Sequence, residues 1–276
     1  MARVHLFELH ELAWFPAAWR DLLTDYLSFY AQVFNPYLRV APLLAEAFGD
    51  VRCPAILDLC SGAGRPVLSL IPALRRLGVE GLRVTLTDKF PNLAAIDAHP
   101  FDGATVAYCS EPVDATDVPT ALSGFRTLFT SFHHFRPDAA RSILANAIAS
   151  GEGIGVFEYT ERNWIIWAVP TLLIPAFIWL ATPFMRPFRW RRLLWTYLLP
   201  VVPLVALWDG FVSCLRTYSI AELGKLVDSV DRWRYEWKIG RVRSVGCGRV
   251  TYAIGVPRRR ISSSAGAEAT APAVKG

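Results

Sequence analysis

Charged residues are scarce in this sequence of 276 residues: they make up 19% of the chain, whereas hydrophobic residues make up 53%. An average soluble domain carries about 25% charged residues. This composition excludes a disordered chain and a collagen-like or coiled-coil protein. The mean hydropathy of +0.29 indicates either an unusually large core or a segment in contact with lipid or a lipid-like ligand. The length suits one domain with an insertion.

Cysteine pairs at metal-ligand spacing are also missing. The five cysteines, Cys53, Cys60, Cys109, Cys214 and Cys247, are odd in number and far apart. The sequence has no Cys-x-x-Cys pair and no histidine at ligand spacing, so we expect no metal site. The N-terminus is interrupted by acidic residues and lacks the apolar run of a signal peptide. We therefore expect a cytoplasmic protein with reduced thiols.

Basic charge is not spread along the chain, although the net charge is +5. It gathers in the stretch 185–192 and in the tail after Pro257. A basic groove with interleaved aromatic residues is absent, so we expect no nucleic-acid partner. Two local clusters favour an anionic membrane surface. The alternative is solvated charge on a loop and a tail.

The apolar runs predict strands that alternate with helices. Helices are predicted over 5–49, where one apolar face packs on the core and could also cover a pocket mouth. The predicted strands are 55–59, 82–87, 105–108, 125–132, 153–159, 235–242 and 249–256, and the predicted helices among them are 65–77, 92–98, 137–149 and 219–230. This alternation is typical of an α/β fold with a doubly wound, Rossmann-like parallel sheet. The last two strands resemble an antiparallel hairpin.

Four parts follow from this order. They are an N-terminal helical cap (1–50), a core (51–162 and 219–257), an apolar helical insertion (163–218) and a disordered tail (258–276). The core resumes at Ser219 and Glu222, whose spacing is that of a capping box.

The strongest local signal is a glycine turn between the first strand and the following helix. It reads Asp58-Leu59-Cys60-Ser61-Gly62-Ala63-Gly64. Gly62 and Gly64 let a backbone approach a ligand closely, and Asp58 lies at the strand end where open α/β sheets bind ligands. Asp88 ends the second strand, where a carboxylate can accept two hydrogen bonds from a ribose diol. Asp114 follows the third strand.

This set resembles the class I S-adenosylmethionine-dependent methyltransferases over about residues 55–256, apart from the insertion. The resemblance implies a seven-stranded sheet with an antiparallel last strand and S-adenosylmethionine as cofactor. It implies Asp58, Gly62 and Gly64 around the methionine part, Asp88 on the ribose and Asp114 near the adenine. The further contacts that it implies are Ser61, Ala115 and Thr130.

The sequence departs from this family at Cys60, where the family usually has its first glycine. Two other interpretations stay open. One is a nicotinamide-binding Rossmann domain, whose third fingerprint glycine would fall at Val67. The other is a non-catalytic relic of the methyltransferase fold.

Methyl transfer from a sulfonium is an in-line displacement, to which a protein contributes mainly alignment. A base helps when the acceptor is a hydroxyl or an amine. His133 and His134 follow the fourth strand, whose end faces the transferred methyl in this fold, so they are the first candidates. The alternative is that one of them caps the next helix or packs in the core.

Two carboxylates are further candidates for the acceptor site. Glu158 ends the fifth strand, but it could instead pair with Arg162. Asp209 follows a long apolar run, where an unpaired carboxylate is costly. Asp209 therefore either binds the acceptor or forms a structural ion pair with Arg216.

The insertion is the main reason for the high apolar content. Residues 164–183 carry no charge, and residues 193–208 form a second apolar arm. We expect a helical hairpin that lies on or dips into the cytoplasmic leaflet, with its arginines at headgroup level. The alternatives are a lid packed within the protein or across a dimer, and a spanning hairpin. Spanning is disfavoured because four arginines at the tip would have to cross.

The sequence thus favours a methyltransferase that acts on a lipophilic small molecule, such as a lipid, quinone or polyketide-like metabolite, at the cytoplasmic face of a membrane. One alternative is a methyltransferase of a soluble metabolite, with the insertion as an oligomer interface. Another is a non-catalytic S-adenosylmethionine-binding protein.

Overall fold

The computed structural model describes residues 2–49, 54–91, 105–163, 171–230, 233–245 and 248–258. The predicted helix over 92–98, the start of the insertion at 164–170, Cys53, Cys247 and the tail from 259 lie outside the described residues.

Seven strands form one sheet in the order β3-β2-β1-β4-β5-β7-β6. They are β1 Ala55–Asp58, β2 Arg83–Leu86, β3 Val106–Tyr108, β4 Phe125–Phe129, β5 Ile154–Glu158, β6 Tyr235–Arg243 and β7 Arg249–Pro257. The pairs among β1 to β5 are parallel, and β7 runs antiparallel to both β5 and β6. The predicted doubly wound sheet with an antiparallel last strand is confirmed.

Helices cover both faces of the sheet. They are α1 Ala17–Phe34, α2 Ala41–Phe48, α3 Arg65–Arg76, α4 Pro137–Ala149, α5 Ile174–Ala181, α6 Trp190–Leu193, α7 Val201–Arg216 and α8 Ile220–Val230. Buried side chains of α2 and α3 form one core with the sheet, and those of α4 and α8 form a second core. This is the arrangement that right-handed crossovers between parallel strands produce.

Helix ends match their sequence signals. Ser219 and Glu222 form the predicted capping box: Glu222 Oε2 accepts the Ser219 N–H at 2.8 Å, and the Glu222 N–H donates to Ser219 Oγ at 3.3 Å. α1 begins after Pro16 and ends at Asn35, which adopts a left-handed φ of +39°. Proline and asparagine suit these positions, since proline lacks a donor and asparagine tolerates positive φ.

A third hydrophobic cluster joins α1 to the insertion. Phe15, Leu22 and Tyr26 pack with residues of α5 and α7, among them Ile178 and Val202. We call α1 together with residues 171–216 the cap. It contacts the ends of β4 and β5 through hydrogen bonds from Tyr30 and Tyr37. The cap therefore covers the edge of the sheet where the parallel strands end.

The insertion differs from two straight helical arms. α5 is short, and α6 continues through a π-helical turn, Leu194–Leu198, before a bend of 73° into α7. Among the described helices none is by itself long and apolar enough to cross a membrane, and only the bent pair Trp190–Leu198 and Val201–Arg216 passes that test of length and composition. Prolines within the insertion break the apolar run, since proline cannot continue a helix without loss of a hydrogen bond.

One tip arginine was predicted at headgroup level and is instead buried. Arg192 is 3% exposed, and its guanidinium donates to Asp25 Oδ2 of α1 at 2.7 Å. Arg189 lies 3.3 Å from the same carboxylate, whereas Arg186 and Arg191 are exposed. The reason is electrostatic: a buried guanidinium needs a carboxylate partner, and α1 supplies one. The tip is therefore fastened to α1.

We predict that Asp25→Asn loosens the cap. The substitution removes the charge that Arg192 faces, and hydrogen bonds to charged groups contribute about 2 kcal/mol. The free energy of unfolding, measured by denaturant titration, should fall by that amount. Asp21→Asn removes an exposed charge from the same helix and should leave stability nearly unchanged. Equal stability of both variants would contradict the role of the pair.

Candidate functional site

The glycine turn between β1 and α3 has three residues at positive φ: Cys60 at +55°, Gly62 at +54° and Gly64 at +68°. A Cβ on Gly64 would lie 2.5 Å from Leu86 Cδ1, whereas a Cβ on Gly62 would meet no atom within 4 Å. Gly64 is thus required by packing. Gly62 borders open space at the strand end, so the backbone there is accessible to a ligand.

Asp58 lies in a buried network at the end of β1. It is 2% exposed, and its Oδ1 accepts a hydrogen bond from Thr127 Oγ1 at 2.5 Å. Burial raises the pKa of Asp58 to about 7; the Asp88 charge adds to this rise, and the Thr127 hydrogen bond opposes it. Ser61 donates to the Asp58 carbonyl at 2.8 Å and so holds the turn in place. Asp58 can therefore change its protonation state near neutral pH.

Asp88 holds the opposite side of the same turn. Its Oδ2 accepts the Gly62 N–H at 2.9 Å, and its Oδ1 accepts the Phe90 N–H at 2.9 Å. The Phe90 ring is 76% exposed beside it. Sequence reasoning missed Phe90, and the only available signal was its position two residues after Asp88. An acid and an exposed aromatic face lie together here.

Asp114 and Ala115 follow β3. Asp114 accepts hydrogen bonds from Lys89 Nζ at 2.8 Å and from the Thr116 N–H at 2.9 Å. The Lys89 hydrogen bond, followed by those of Thr116, lowers the pKa of Asp114 to about 2. Ala115 is 3% exposed and packs in the core. Asp114 is thus ionised and lies near Asp88 through Lys89, while the Ala115 side chain is structural.

Tyrosines from the cap meet Thr130 at the end of β4. Thr130 has a φ of +42°, its hydroxyl is hydrogen-bonded to Tyr37, and it accepts the Tyr159 N–H at 2.9 Å. The hydroxyls of Tyr30 and Tyr159 are 2.9 Å apart. Burial raises the pKa of Tyr37 well above its usual range, so its phenol stays protonated. Sequence reasoning missed these tyrosines because their partners lie far along the chain.

His133 and Glu158 form a buried pair, each 1% exposed. His133 Nδ1 lies 2.8 Å from Glu158 Oε2, and the His133 N–H donates to Glu158 Oε1 at 3.2 Å. The alternative pairing of Glu158 with Arg162 is wrong, because Arg162 donates to Glu222 at 2.6 Å. Neighbouring strand ends bring His133 and Glu158 together.

His134 and Asp209 face the N-terminal segment. His134 Nδ1 lies 2.7 Å from Glu11 Oε1, and Asp209 Oδ2 lies 2.8 Å from His10 Nδ1. The predicted Asp209–Arg216 pair is wrong, because Arg216 donates to both Glu11 oxygens at 2.8 Å. A segment distant in sequence supplies partners to both residues. Sequence reasoning missed His10 and Glu11.

The arrangement has two parts. At the ends of β1 and β2, an accessible backbone turn and two carboxylates can hold a ligand with hydroxyl and ammonium groups. At the ends of β4 and β5, hydroxyls can orient a second molecule, and an imidazole–carboxylate pair can accept a proton. A separate polar cavity of about 260 Å³ is lined by Glu161, Arg162, Thr217, Tyr218, Ser219, Arg241 and Thr251. It contains none of the predicted site residues.

The sequence matches no family model and no curated protein, but solved structures resemble the fold. The plantazolicin methyltransferase BpumL in complex with SAH is 10% identical, with a TM-score of 0.56, over 91% of this chain and 94% of that one. The O-methyltransferase NcsB1 in complex with S-adenosylmethionine and 2-hydroxy-5-methyl naphthoic acid is 14% identical, with a TM-score of 0.51, over 88% of this chain. This chain spans only 62% of NcsB1.

A Rhodobacter sphaeroides structure described as a candidate Zn-dependent alcohol dehydrogenase is 13% identical, with a TM-score of 0.51, over 92% of this chain and 99% of that one. The strand order of this chain distinguishes the two classes. A dinucleotide-binding sheet has the order 3-2-1-4-5-6, whereas here the antiparallel β7 lies between β5 and β6. The chain has the class I S-adenosylmethionine-dependent methyltransferase fold.

We predict that Asp58 makes stability depend on pH. Its raised pKa means that the folded state keeps a proton that the unfolded state has lost between about pH 4 and pH 7. Stability relative to Asp58→Asn should therefore fall as pH rises through this window, by about 1 kcal/mol per pH unit, and level off above pH 7. Denaturant titrations from pH 5 to 8 measure this. A constant difference would mean that Asp58 is already ionised when folded.

Proposed function

We propose that this protein is an S-adenosylmethionine-dependent methyltransferase that acts on a lipophilic small molecule. The observation that carries the proposal is the glycine turn of β1, which faces open space at Gly62 between the carboxyl groups of Asp58 and Asp88. This turn lies at the carboxyl end of the sheet, where open α/β folds bind ligands. BpumL and NcsB1, which share the fold, are complexed with SAH and S-adenosylmethionine, respectively.

The residues of the first part suit the chemical groups of this cofactor. Asp88 accepts hydrogen bonds from the ribose diol, and Asp58 accepts from the ammonium of the methionine part. The exposed ring of Phe90 offers a face to the adenine, with Asp114 nearby. When bound, the cofactor supplies an electrophilic methyl group on its sulfonium. The chain holds it in place and excludes water through the cap.

The acceptor lies beneath the cap in this proposal. Aromatic rings of α1, β5 and the insertion meet there: Tyr30 lies 4.8 Å from Phe34, 5.7 Å from Phe177 and 6.1 Å from Tyr159, measured between ring centroids. Such a wall suits an apolar acceptor, and the tyrosine hydroxyls next to Thr130 orient its polar end. NcsB1 holds an aromatic acid in its complex.

His133 is the proposed base for a hydroxyl or amine acceptor. Glu158 holds Nδ1 at 2.8 Å, while Nε2 has no hydrogen-bond partner among the described residues. A carboxylate on one ring nitrogen fixes the tautomer and leaves the other nitrogen able to accept a proton. Glu158 is then a positioning residue. Asp209 serves the fold, since its oxygens accept from the N-terminal segment.

We further propose that the insertion rests on the cytoplasmic face of a membrane, from which the acceptor enters. Its exposed large apolar side chains are Leu172, Leu173, Trp179, Leu180, Phe184, Phe188, Trp190, Tyr197, Leu198, Leu199, Leu204 and Phe211. Contiguous exposed apolar surface marks interaction sites. The exposed Arg186 and Arg191 add attraction to anionic headgroups.

We predict that two substitutions separate cofactor binding from transfer. Asp88→Asn keeps an acceptor for the Gly62 N–H but loses the charge, and should weaken S-adenosylmethionine binding about 10- to 100-fold in titration calorimetry. His133→Asn should bind the cofactor normally yet transfer labelled methyl to a lipid extract about 100-fold more slowly. Mass spectrometry of the labelled product identifies the acceptor.

Asp117→Asn, which alters an exposed carboxylate, is the control and should behave as wild type. Failure of the wild type to bind S-adenosylmethionine would overturn the proposal. Binding without transfer to any extract would indicate a non-catalytic binding protein. Transfer only to water-soluble metabolites would refute the lipophilic acceptor.

We predict that wild-type protein floats with anionic phospholipid vesicles. Leu180 and Leu198, each 74% exposed, should contribute most, because burial of one leucine stabilises by about 1.5–3 kcal/mol. Leu180→Ser with Leu198→Ser should lower vesicle binding at least about tenfold. Trp233→Ser, which changes an apolar residue outside the insertion, should not. If the wild type stays in solution and the double variant loses a dimer, the insertion is an oligomer interface.

A further inference from the structure

Three histidines and four carboxylates converge where the N-terminal segment meets the turn after β4 and α7. Glu8 is fully buried at the centre. Its Oε2 lies 3.4 Å from His134 Nδ1 and 3.6 Å from His10 Nδ1, and its Oε1 lies 3.7 Å from His133 Nε2. Asp209 and the remaining carboxylates of Glu11 and Glu158 each contact one imidazole. This histidine cluster is separate from the glycine turn.

The spacing at Glu8 suits a shared ion. One ligand atom each from Glu8, His10 and His134 lies within 4.8 Å of the others. Bonds from zinc to nitrogen and oxygen are about 2.0–2.2 Å long, so tetrahedral ligands lie about 3.4 Å apart. The two Glu8 distances of 3.4 and 3.6 Å match this value without rearrangement.

An unpartnered oxygen points into the cluster. Glu8 Oε1 accepts a hydrogen bond from Ser213 at 3.0 Å and faces Arg216 at 3.1 Å, but Oε2 accepts none from any described residue. His133 Nε2, at 1% exposure, likewise lacks a partner among them. A buried polar atom without a partner is costly. Oε2 is aimed between the two imidazoles, where a cation would satisfy it.

The charges of the cluster also leave room for a cation. Glu8, Glu11, Asp209 and Glu158 are four carboxylates, and Arg216 is the only guanidinium that forms an ion pair with any of them within the described ranges. The balance must come from protonated imidazoles or from a divalent ion. An ion at this point would replace the protons that His10 and His134 share with Asp209 and Glu11.

We infer that Glu8, His10 and His134 form a binding site for a divalent first-row transition-metal ion, with Asp209 and Glu11 beside it. Imidazole and carboxylate ligands favour Zn²⁺ and similar ions over Mg²⁺ or Ca²⁺. The side chains of His10 and His134 are 32% and 25% exposed, which gives the ion a path from solvent. The ion would fasten the N-terminal segment to the turn after β4. The site gathers residues far apart in sequence, contrary to the expectation of no metal site.

The test measures bound metal in the full-length protein without an affinity tag. After chelator treatment and dialysis against Zn²⁺, elemental analysis should find one Zn²⁺ per chain, and Co²⁺ should give visible absorption. Glu8→Gln, which keeps the shape of the side chain, and His10→Ala should each weaken binding at least about 100-fold. Chelation should lower the Tm of the wild type by about 5 °C or more and should not affect His10→Ala.

His5→Ala is the matched control, because His5 lies in the same segment but faces Arg3 and Arg216. It should retain Zn²⁺. Circular dichroism checks that each variant folds, and the half-exposed His10 serves if Glu8→Gln does not. Absence of bound Zn²⁺ in the wild type, or equal retention by His10→Ala, would overturn the inference. Bound metal is measured independently of S-adenosylmethionine binding, so neither result decides the other.

Discussion

The buried carboxylate of Glu8 joins three parts of the molecule that are far apart in sequence. It belongs to the N-terminal segment, contacts His133 and His134 in the turn after β4, and pairs with Arg216 at the end of α7. A buried charge is costly unless it is paired, so these groups must stay together once the chain folds. The position of the cap over the strand ends depends on this requirement.

The sheet and the cap divide the work at the candidate site. Parallel strands bring the glycine turn and Asp88 to one edge, and these groups need nothing from the cap. The acceptor side is different, because Thr130 at the end of β4 meets Tyr37 of the cap region. A ligand at the glycine turn can therefore be recognised by the fold alone. The choice of acceptor depends on segments added to that fold.

The insertion has two chemically different faces. One packs on α1 through Ile178 and the buried Arg192, which is paired with Asp25. The other exposes large apolar side chains such as Leu180 and Leu198. Burial of the first face is a property of the folded chain. Exposure of the second is unfavourable in water, and the proposed membrane contact removes that cost.

The sequence by itself determined the strand order, the glycine turn and the carboxylates that follow β1, β2 and β3, because apolar runs and turn residues are local signals. It did not determine the partners of charged side chains. Asp209 and Glu158 had nearby arginines in sequence, yet each took a partner from a distant segment. The tertiary structure decided these pairs, since a buried charge pairs with whichever group packing brings within reach. For the same reason, the histidine cluster around Glu8 had no counterpart in residue spacing.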